Sequence, residues 1–133
     1  MKRFFLLSLV CVLGLFGNLR AQEITIGSAE SSSYRTPINT DQPYSISQQI
    51  YTAAEIGQAN GKISKIAFKW ASSIAETRNL SIYMQNTTQS SFGNWISVTD
   101  NDKVFDGEVN INSEWVEITF TTKFDYAGGN LLL

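Results

Sequence analysis

The sequence WVEITFTTKF at residues 115–124 alternates apolar and polar side chains. Val116, Ile118 and Phe120 fall on one side of the chain, and mostly polar residues fall on the other. A period of two is the period of a β-strand with one buried face. The stretch therefore predicts a half-buried strand, which needs a second layer of structure to cover its apolar face.

The same period of two recurs in several other segments that are separated by turn residues. After the turn signal Asn60-Gly61, for example, Ile66, Phe68 and Trp70 share one side of the chain. No segment keeps the spacing of a helix for three turns. The chain is therefore predicted to be all-β, a β-sandwich or jelly roll of about eight short antiparallel strands.

The remaining elements follow from the same pattern and from the turn residues. Strands are expected at 22–27, 44–51, 80–85, 104–111 and 115–124, with one helical turn over 52–58, a polar loop over 86–94 and a turn over 100–103. Asp106-Gly107 leaves two alternatives open for 104–111, a strand pair joined by a turn or one bulged strand. Residues 130–133 look like a strand just beginning, which predicts that the domain is truncated and lacks its final strand or strands.

The N-terminus has the pattern of a secretory signal. Lys2 and Arg3 precede an apolar run over 4–16, which is shorter than the roughly 18 residues that a membrane-spanning helix needs. Cleavage is expected after Ala21. Residues 1–21 are then a signal peptide and 22–133 a single domain, exported to be secreted or held at the cell surface, with no membrane insertion after cleavage.

Charge and the missing residue types exclude several functions. Loss of Lys2, Arg3 and Arg20 with the signal leaves 7 basic against 12 acidic residues, about five net negative charges, so nucleic-acid binding lacks the positive charge it needs. The chain has no histidine, and its one cysteine, Cys11, lies in the signal. Histidine- and thiol-based catalysis and zinc binding are therefore excluded from the mature domain. Only carboxylate-pair chemistry is left, and we predict that the protein is not an enzyme.

Four carboxylates stand close together in the predicted turn and the strand after it. They are Asp100, Asp102, Asp106 and Glu108. Carboxylate oxygens at this density are typical calcium ligands, although the spacing is not that of an EF-hand. The two interpretations are an irregular calcium site, the one cofactor that the sequence suggests, and a set of solvated acidic turns.

The tryptophans are the other candidates for a binding role. Trp95, with Phe92 beside it in the predicted loop, is interpreted either as an exposed ring that stacks on a sugar or a peptide side chain, or as part of the core. Trp70 lies on an alternating strand and Trp115 opens one, so both are predicted to be core residues.

Several short segments together resemble a known module. They are 24–27, 37–40, 47–52, 63–68, 82–84, 87–92, 124–126 and 129–132. In these segments the chain is similar to the jelly-roll modules called cleaved adhesin domains, found in secreted multidomain proteins of the Bacteroidetes. The resemblance implies an N-terminal module followed by further domains, with sequence continuing after Leu133. None of the segments is a catalytic signature.

Three hypotheses about function remain open. The first is a secreted or cell-surface binding module, adhesive in character, that contacts an extracellular protein or glycan through its loops. The second is an accessory domain of a larger secreted hydrolase, a protease or glycosidase. The third is a structural spacer with no ligand.

Overall fold

The computed structural model of the chain describes residues 21–28, 36–71 and 75–133. Its strands are β1 (Ile50–Tyr51), β2 (Gly61–Lys69), β3 (Glu76–Tyr83), β4 (Gln85–Thr87), β5 (Lys103–Ile111), β6 (Trp115–Tyr126) and β7 (Asn130–Leu132). One short helix, α1 (Ala53–Ile56), follows β1, and a 3-10 turn over Asp100–Asp102 precedes β5. Strands predominate and pair antiparallel, so the predicted all-β, sandwich-like class is confirmed. The predicted signal peptide, apart from Ala21, lies outside the described residues.

The strands form three antiparallel groups. β2 pairs with β6 and β3 pairs with β5, and β7 lies between β1 and β4 in a three-stranded sheet. In the β2–β6 ladder Phe68 is opposite Val116, and in the β3–β5 ladder Leu80 is opposite Gly107. The two ladders supply most of the core, and the three-stranded sheet adds Leu131 at one end of it.

The apolar side chains of these strands form two buried clusters. The first consists of Ile38, Trp70, Val109, Ile111, Val116 and Ile118. The second consists of Ile56, Met84, Val104, Phe120, Tyr126 and Leu131. Three partly buried side chains, Ile66, Ile82 and Phe105, pack against both clusters. The two clusters are thus one continuous core. In β6 its members Val116, Ile118 and Phe120 follow the period of two, whereas Ile38, Ile56 and Met84 enter the core from outside the strands.

Two irregularities in the ladders meet at one hydrogen bond. β5 is bulged at Val104, because Ile82 pairs with Phe105 and Tyr83 pairs with Lys103. In β6 the register jumps between Thr119 and Phe124, opposite the single residue Ser64 of β2. Inside that interruption the hydroxyl of Thr121 donates to the Val104 carbonyl at 3.0 Å. The carbonyl of Val104, the bulge residue of β5, therefore accepts a hydrogen bond from the interrupted segment of β6.

The predicted helical turn is confirmed and is bounded by a capping residue at each end. Thr52 is the N-cap, with Thr52 and Glu55 forming a capping box. Gly57, with φ of +68°, ends the helix in the left-handed conformation, which glycine adopts at little cost. Ile56 is the residue of this turn that packs into the core.

The connection between β6 and β7 passes very close to the residues before β2. Gly128 has a φ of +88°, and a Cβ there would lie only 1.5 Å from the Ala59 carbonyl oxygen. The Tyr126 hydroxyl donates to the Gly129 carbonyl at 2.6 Å and holds the same connection. Only glycine fits at position 128.

Two predicted strands are corrected by the structure. Residues 22–27 form no strand, and Ile24 and Ile26 are exposed, because no described strand hydrogen-bonds to this segment. The predicted strand 44–51 is reduced to Ile50–Tyr51, because β7 and Leu133 pair only with residues 49–51. An alternating pattern alone does not make a strand without a partner.

Two further differences concern the β3–β5 region and the polar loop. Asp106-Gly107 is no turn, since Asp106 pairs with Ser81 and Gly107 with Leu80 inside a single strand. Of the two alternatives for 104–111, one bulged strand is therefore the correct one, with the bulge at Val104. The polar residues 85–87, of which 86 and 87 were expected in a loop, form β4 because β7 supplies their backbone partners.

Candidate functional site

Four large apolar side chains remain exposed on two loops, the segment 36–49 before β1 and the segment 88–99 after β4. Tyr44 is 91 % exposed, Ile46 78 %, Trp95 61 % and Phe92 45 %. We call these four residues the loop surface. Trp95 and Phe92 were singled out from the sequence, and the exposure of Trp95 decides between its two interpretations in favour of an exposed ring.

The hydrogen bonds of segment 36–49 orient the first half of the loop surface. The Ser45 hydroxyl accepts from the Asn39 backbone N–H at 3.2 Å, and the Ser47 hydroxyl donates to the Pro37 carbonyl at 2.8 Å. Both serines therefore face the chain at 37–39. Ile46, which lies between the two serines, is directed away from these contacts and is exposed.

Gln48 connects the two loops. Its side-chain amide donates to the Ile96 carbonyl at 2.6 Å and accepts from the Ile96 backbone N–H at 3.0 Å. The amide thus satisfies both polar groups of one residue, as a neighbouring strand would. Since Ile46 lies two residues before Gln48 and Trp95 precedes Ile96, this Gln48–Ile96 pairing holds together the two loops that carry the loop surface.

Each loop is also fixed to the body of the domain. Ile38, at the start of the first loop, is buried in the core. At the start of the second loop the Asn130 side chain donates to the Gln89 carbonyl at 3.0 Å and accepts from the Ala53 N–H at 2.8 Å. The loop surface is therefore held by side-chain hydrogen bonds and one core anchor, although it has no strand pairing of its own.

The four carboxylates of the predicted calcium site are not brought together. Asp102 accepts from the backbone N–H of Thr99 at 2.7 Å and from its hydroxyl at 2.9 Å, which completes the capping of the 3-10 turn. Asp100 and Asp106 pair with Lys103, at 3.4 and 3.2 Å.

Glu108 lies farther along β5, opposite Asn79. Hydrogen bonding to Asp106 raises the pKa of Lys103, which keeps this lysine positively charged between the two aspartates. Within 21–28, 36–71 and 75–133, no group of three acidic side chains can hold a metal ion. The structure therefore gives no support to a calcium site at these residues, which are divided between the 3-10 turn and β5, with two of them paired to Lys103.

Of the other two tryptophans, one is buried and the other is exposed. Trp70 is 4 % exposed and belongs to the first core cluster, so its prediction as a core residue is confirmed. Trp115 begins β6 as predicted but is 44 % exposed, so its prediction as a core residue is wrong. It lies opposite Lys69 at the end of the paired residues of the β2–β6 ladder.

The outward side of the β2–β6 ladder carries charges of both signs. Lys62 pairs with Asp125, Lys65 with Glu117 at 2.8 Å and Lys69 with Glu114 at 3.0 Å. The Glu117 carboxylate raises the pKa of Lys65. These exposed pairs contribute little to stability, and they leave this side of the sheet without a patch of a single sign.

Tyr44 and Ile46 were not predicted as site residues, because their alternation with serines predicted a strand. A signal was nevertheless present. Pro43 precedes the pair, and Ser45 and Ser47 are small residues that bond readily to nearby backbone groups. Such residues favour loops that are fixed by side chains over strands that are fixed by partners.

Comparison of the chain with protein-family models, with curated protein sequences and with solved structures finds no match. In the part of the chain that the structure describes, no helix has the length and apolar character needed to cross a membrane.

Proposed function

We propose that this chain is an exported, non-catalytic binding module, adhesive in character, that contacts an extracellular partner through the loop surface. One observation carries the proposal. Four large apolar side chains are exposed on two loops that the Gln48–Ile96 pairing holds together. Clustered exposed apolar groups typically mark interaction sites, whereas single ones are ordinary.

The way the loops are held also supports a binding role. Aromatic side chains are the residues that most often dominate the energy of a protein interface. Their contribution is larger when the loop that carries them is already ordered, because less conformational freedom is lost on binding. The side-chain hydrogen bonds of Gln48 to Ile96 and of Asn130 to Gln89 supply that order near both ends of segment 88–99.

The non-catalytic part of the proposal rests on the chemistry that the mature chain has available. The sequence has no histidine, and its one cysteine, Cys11, lies in the predicted signal and is absent from the mature chain. Of the four clustered carboxylates, Asp100 and Asp106 are paired with Lys103, and Asp102 caps a turn. Export is proposed from the N-terminal signal pattern, and the resemblance to adhesin modules agrees with a role outside the cell.

The proposal can be tested with the exported chain and an array of purified extracellular-matrix proteins and polysaccharides. We expect saturable binding to at least one member, weakened about tenfold or more when Tyr44→Ala and Trp95→Ala are combined. Trp115→Ala is the matched control, because it removes an exposed tryptophan from the β2–β6 ladder and should leave binding unchanged. Absence of saturable binding, or equal loss in the control, would contradict the proposal.

A further inference from the structure

We infer that the partner of the loop surface is a neutral glycan, an inference that rests on the proposed function. It is based on the surroundings of the exposed rings. Tyr44, Phe92 and Trp95 lie in stretches of sequence whose polar side chains carry hydroxyl and amide groups and no charge. This combination matches a ligand that has apolar ring faces, many hydroxyl groups and no charge of its own.

The two tracts of sequence that carry the loop surface contain no charged residue. No residue between Asn79 and Thr99 is charged, and none is charged between Gln42 and Ala54. Charged residues make up 17 % of the chain, so uncharged tracts of this length depart from the average composition. Charges border the first tract, since Asp41 precedes it and Arg78, which pairs with Glu76, donates to the Thr40 carbonyl at 2.8 Å. Other charges of the body lie on the outward side of the β2–β6 ladder and around Lys103.

The polar groups near the rings are donors and acceptors of the neutral kind. Ser90, Ser91 and Asn94 lie in the same loop as Phe92 and Trp95 and are exposed. Hydroxyl and amide groups can both donate and accept, which suits a ligand made of hydroxyl groups. Small-ligand sites generally combine apolar contact area with a few polar groups that fix the orientation of the ligand.

Other partner classes fit these residues less well. An anionic polysaccharide or a phosphate-bearing ligand is normally bound by arginine or lysine, and neither tract contains one. A lipid surface attracts basic residues next to the apolar ones. Protein partners usually meet a rim with complementary charges, which is also missing from the two tracts. The neutral glycan is the partner that needs none of these charges.

The test is electrophoresis of the exported chain in native gels that contain one polysaccharide each. Neutral glucan, mannan, galactomannan and xylan are compared with anionic alginate and heparin. We expect retardation in at least one neutral gel, weakened about tenfold by Trp95→Ala and retained by Trp115→Ala. Because no ions are exchanged, the retardation should be unchanged between about 0.05 and 0.5 M salt.

The outcomes separate this inference from the proposed function. Retardation only in the anionic gels, or retardation that salt abolishes, overturns the neutral glycan. Binding to a protein of the array that Trp95→Ala weakens, with no neutral gel showing retardation, overturns the glycan and leaves the binding module standing. Failure of the wild-type chain to bind any polysaccharide or protein overturns both.

Discussion

The two strand ladders and the two loops that carry the loop surface satisfy their backbone N–H and C=O groups in different ways. In the ladders, backbone groups bind backbone groups, and the alternation of side chains buries every second one, as at Val116 and Ile118. In the loops, amide and hydroxyl side chains bind the backbone, and no layer covers Tyr44 and Ile46, whose sequence alternates in the same way. Alternation therefore predicts which residues share a side, whereas a covering layer decides whether that side is buried.

Shortening one isoleucine in each region tests this difference in burial most directly. Ile111 has no exposed surface, so Ile111→Ala should lower the free energy of unfolding by about 4 kcal/mol through lost burial and a cavity. Ile46→Ala, at a side chain that is mostly exposed, should change it by less than about 0.5 kcal/mol. Urea unfolding of both variants measures the difference. Similar losses would show that the loop surface is packed in solution.

A second large effect on stability is expected where the connection between β6 and β7 passes close to Ala59. Gly128→Ala puts a Cβ against the Ala59 carbonyl at a positive φ, so the free energy of unfolding should fall by about 3 kcal/mol. Gly129→Ala is the control, since a Cβ there would make only an ordinary contact, 3.7 Å from the Thr87 carbonyl oxygen. Thermal unfolding of the two variants should show a large loss for the first alone. Equal melting temperatures would mean that this close approach is absent in solution.

A smaller, local effect is expected at the junction between the loops. Gln48→Ala removes both bonds to Ile96 and should cost about 1–2 kcal/mol. The exchange of the Ile96 amide hydrogen should accelerate while the amides of the β2–β6 ladder stay protected. Exposed Gln42→Ala serves as the control. Unchanged protection of Ile96 would show that segment 88–99 is held by other contacts.

The smallest effect concerns the pH dependence of the capping box. The backbone N–H and then the hydroxyl of Thr52 bind the Glu55 carboxylate and hold its pKa below the ordinary value of 4.5. A lowered pKa in the folded state stabilises the fold above pH 4.5, and this contribution is lost as the pH falls through the folded-state pKa. Glu55→Gln should therefore reduce the melting temperature slightly at pH 7 and progressively less below pH 4.5. Glu108→Gln, at an exposed glutamate that caps no helix, is the comparison, and a difference for Glu55→Gln that does not depend on pH would contradict the assignment.

The sequence predicted those parts of the fold in which local pattern and tertiary partner agree. β2, β6 and the helical turn at 52–58 carry both a period and turn or capping residues, and the structure has them at nearly the predicted positions. The expected strand 22–27 failed, and the strand β4 was missed, for the same reason. Whether such short segments pair depends on a strand that is distant in sequence, as Thr87 depends on Asn130.

The candidate site was predicted in part. Trp95 and Phe92 were identified because aromatic residues stood in a polar stretch. Tyr44 and Ile46 were missed because the contact that brings them into the same region is made by Gln48 with a residue 48 positions away. For the acidic group the spacing along the chain left two interpretations open, because it does not reveal that the Lys103 ammonium pairs with two of the carboxylates.

The place of β7 in its sheet has a consequence for the order in which the chain folds. Among the described strands, β1 and β4 each hydrogen-bond to β7 and not to each other, so Ile50 and Gln85 both align with Leu132. A chain that crosses a membrane or leaves a ribosome from its N-terminus presents β1 and β4 long before their shared partner. Pairing between residues so far apart in sequence is slow, so this sheet should be the last part to form, after the β3–β5 ladder.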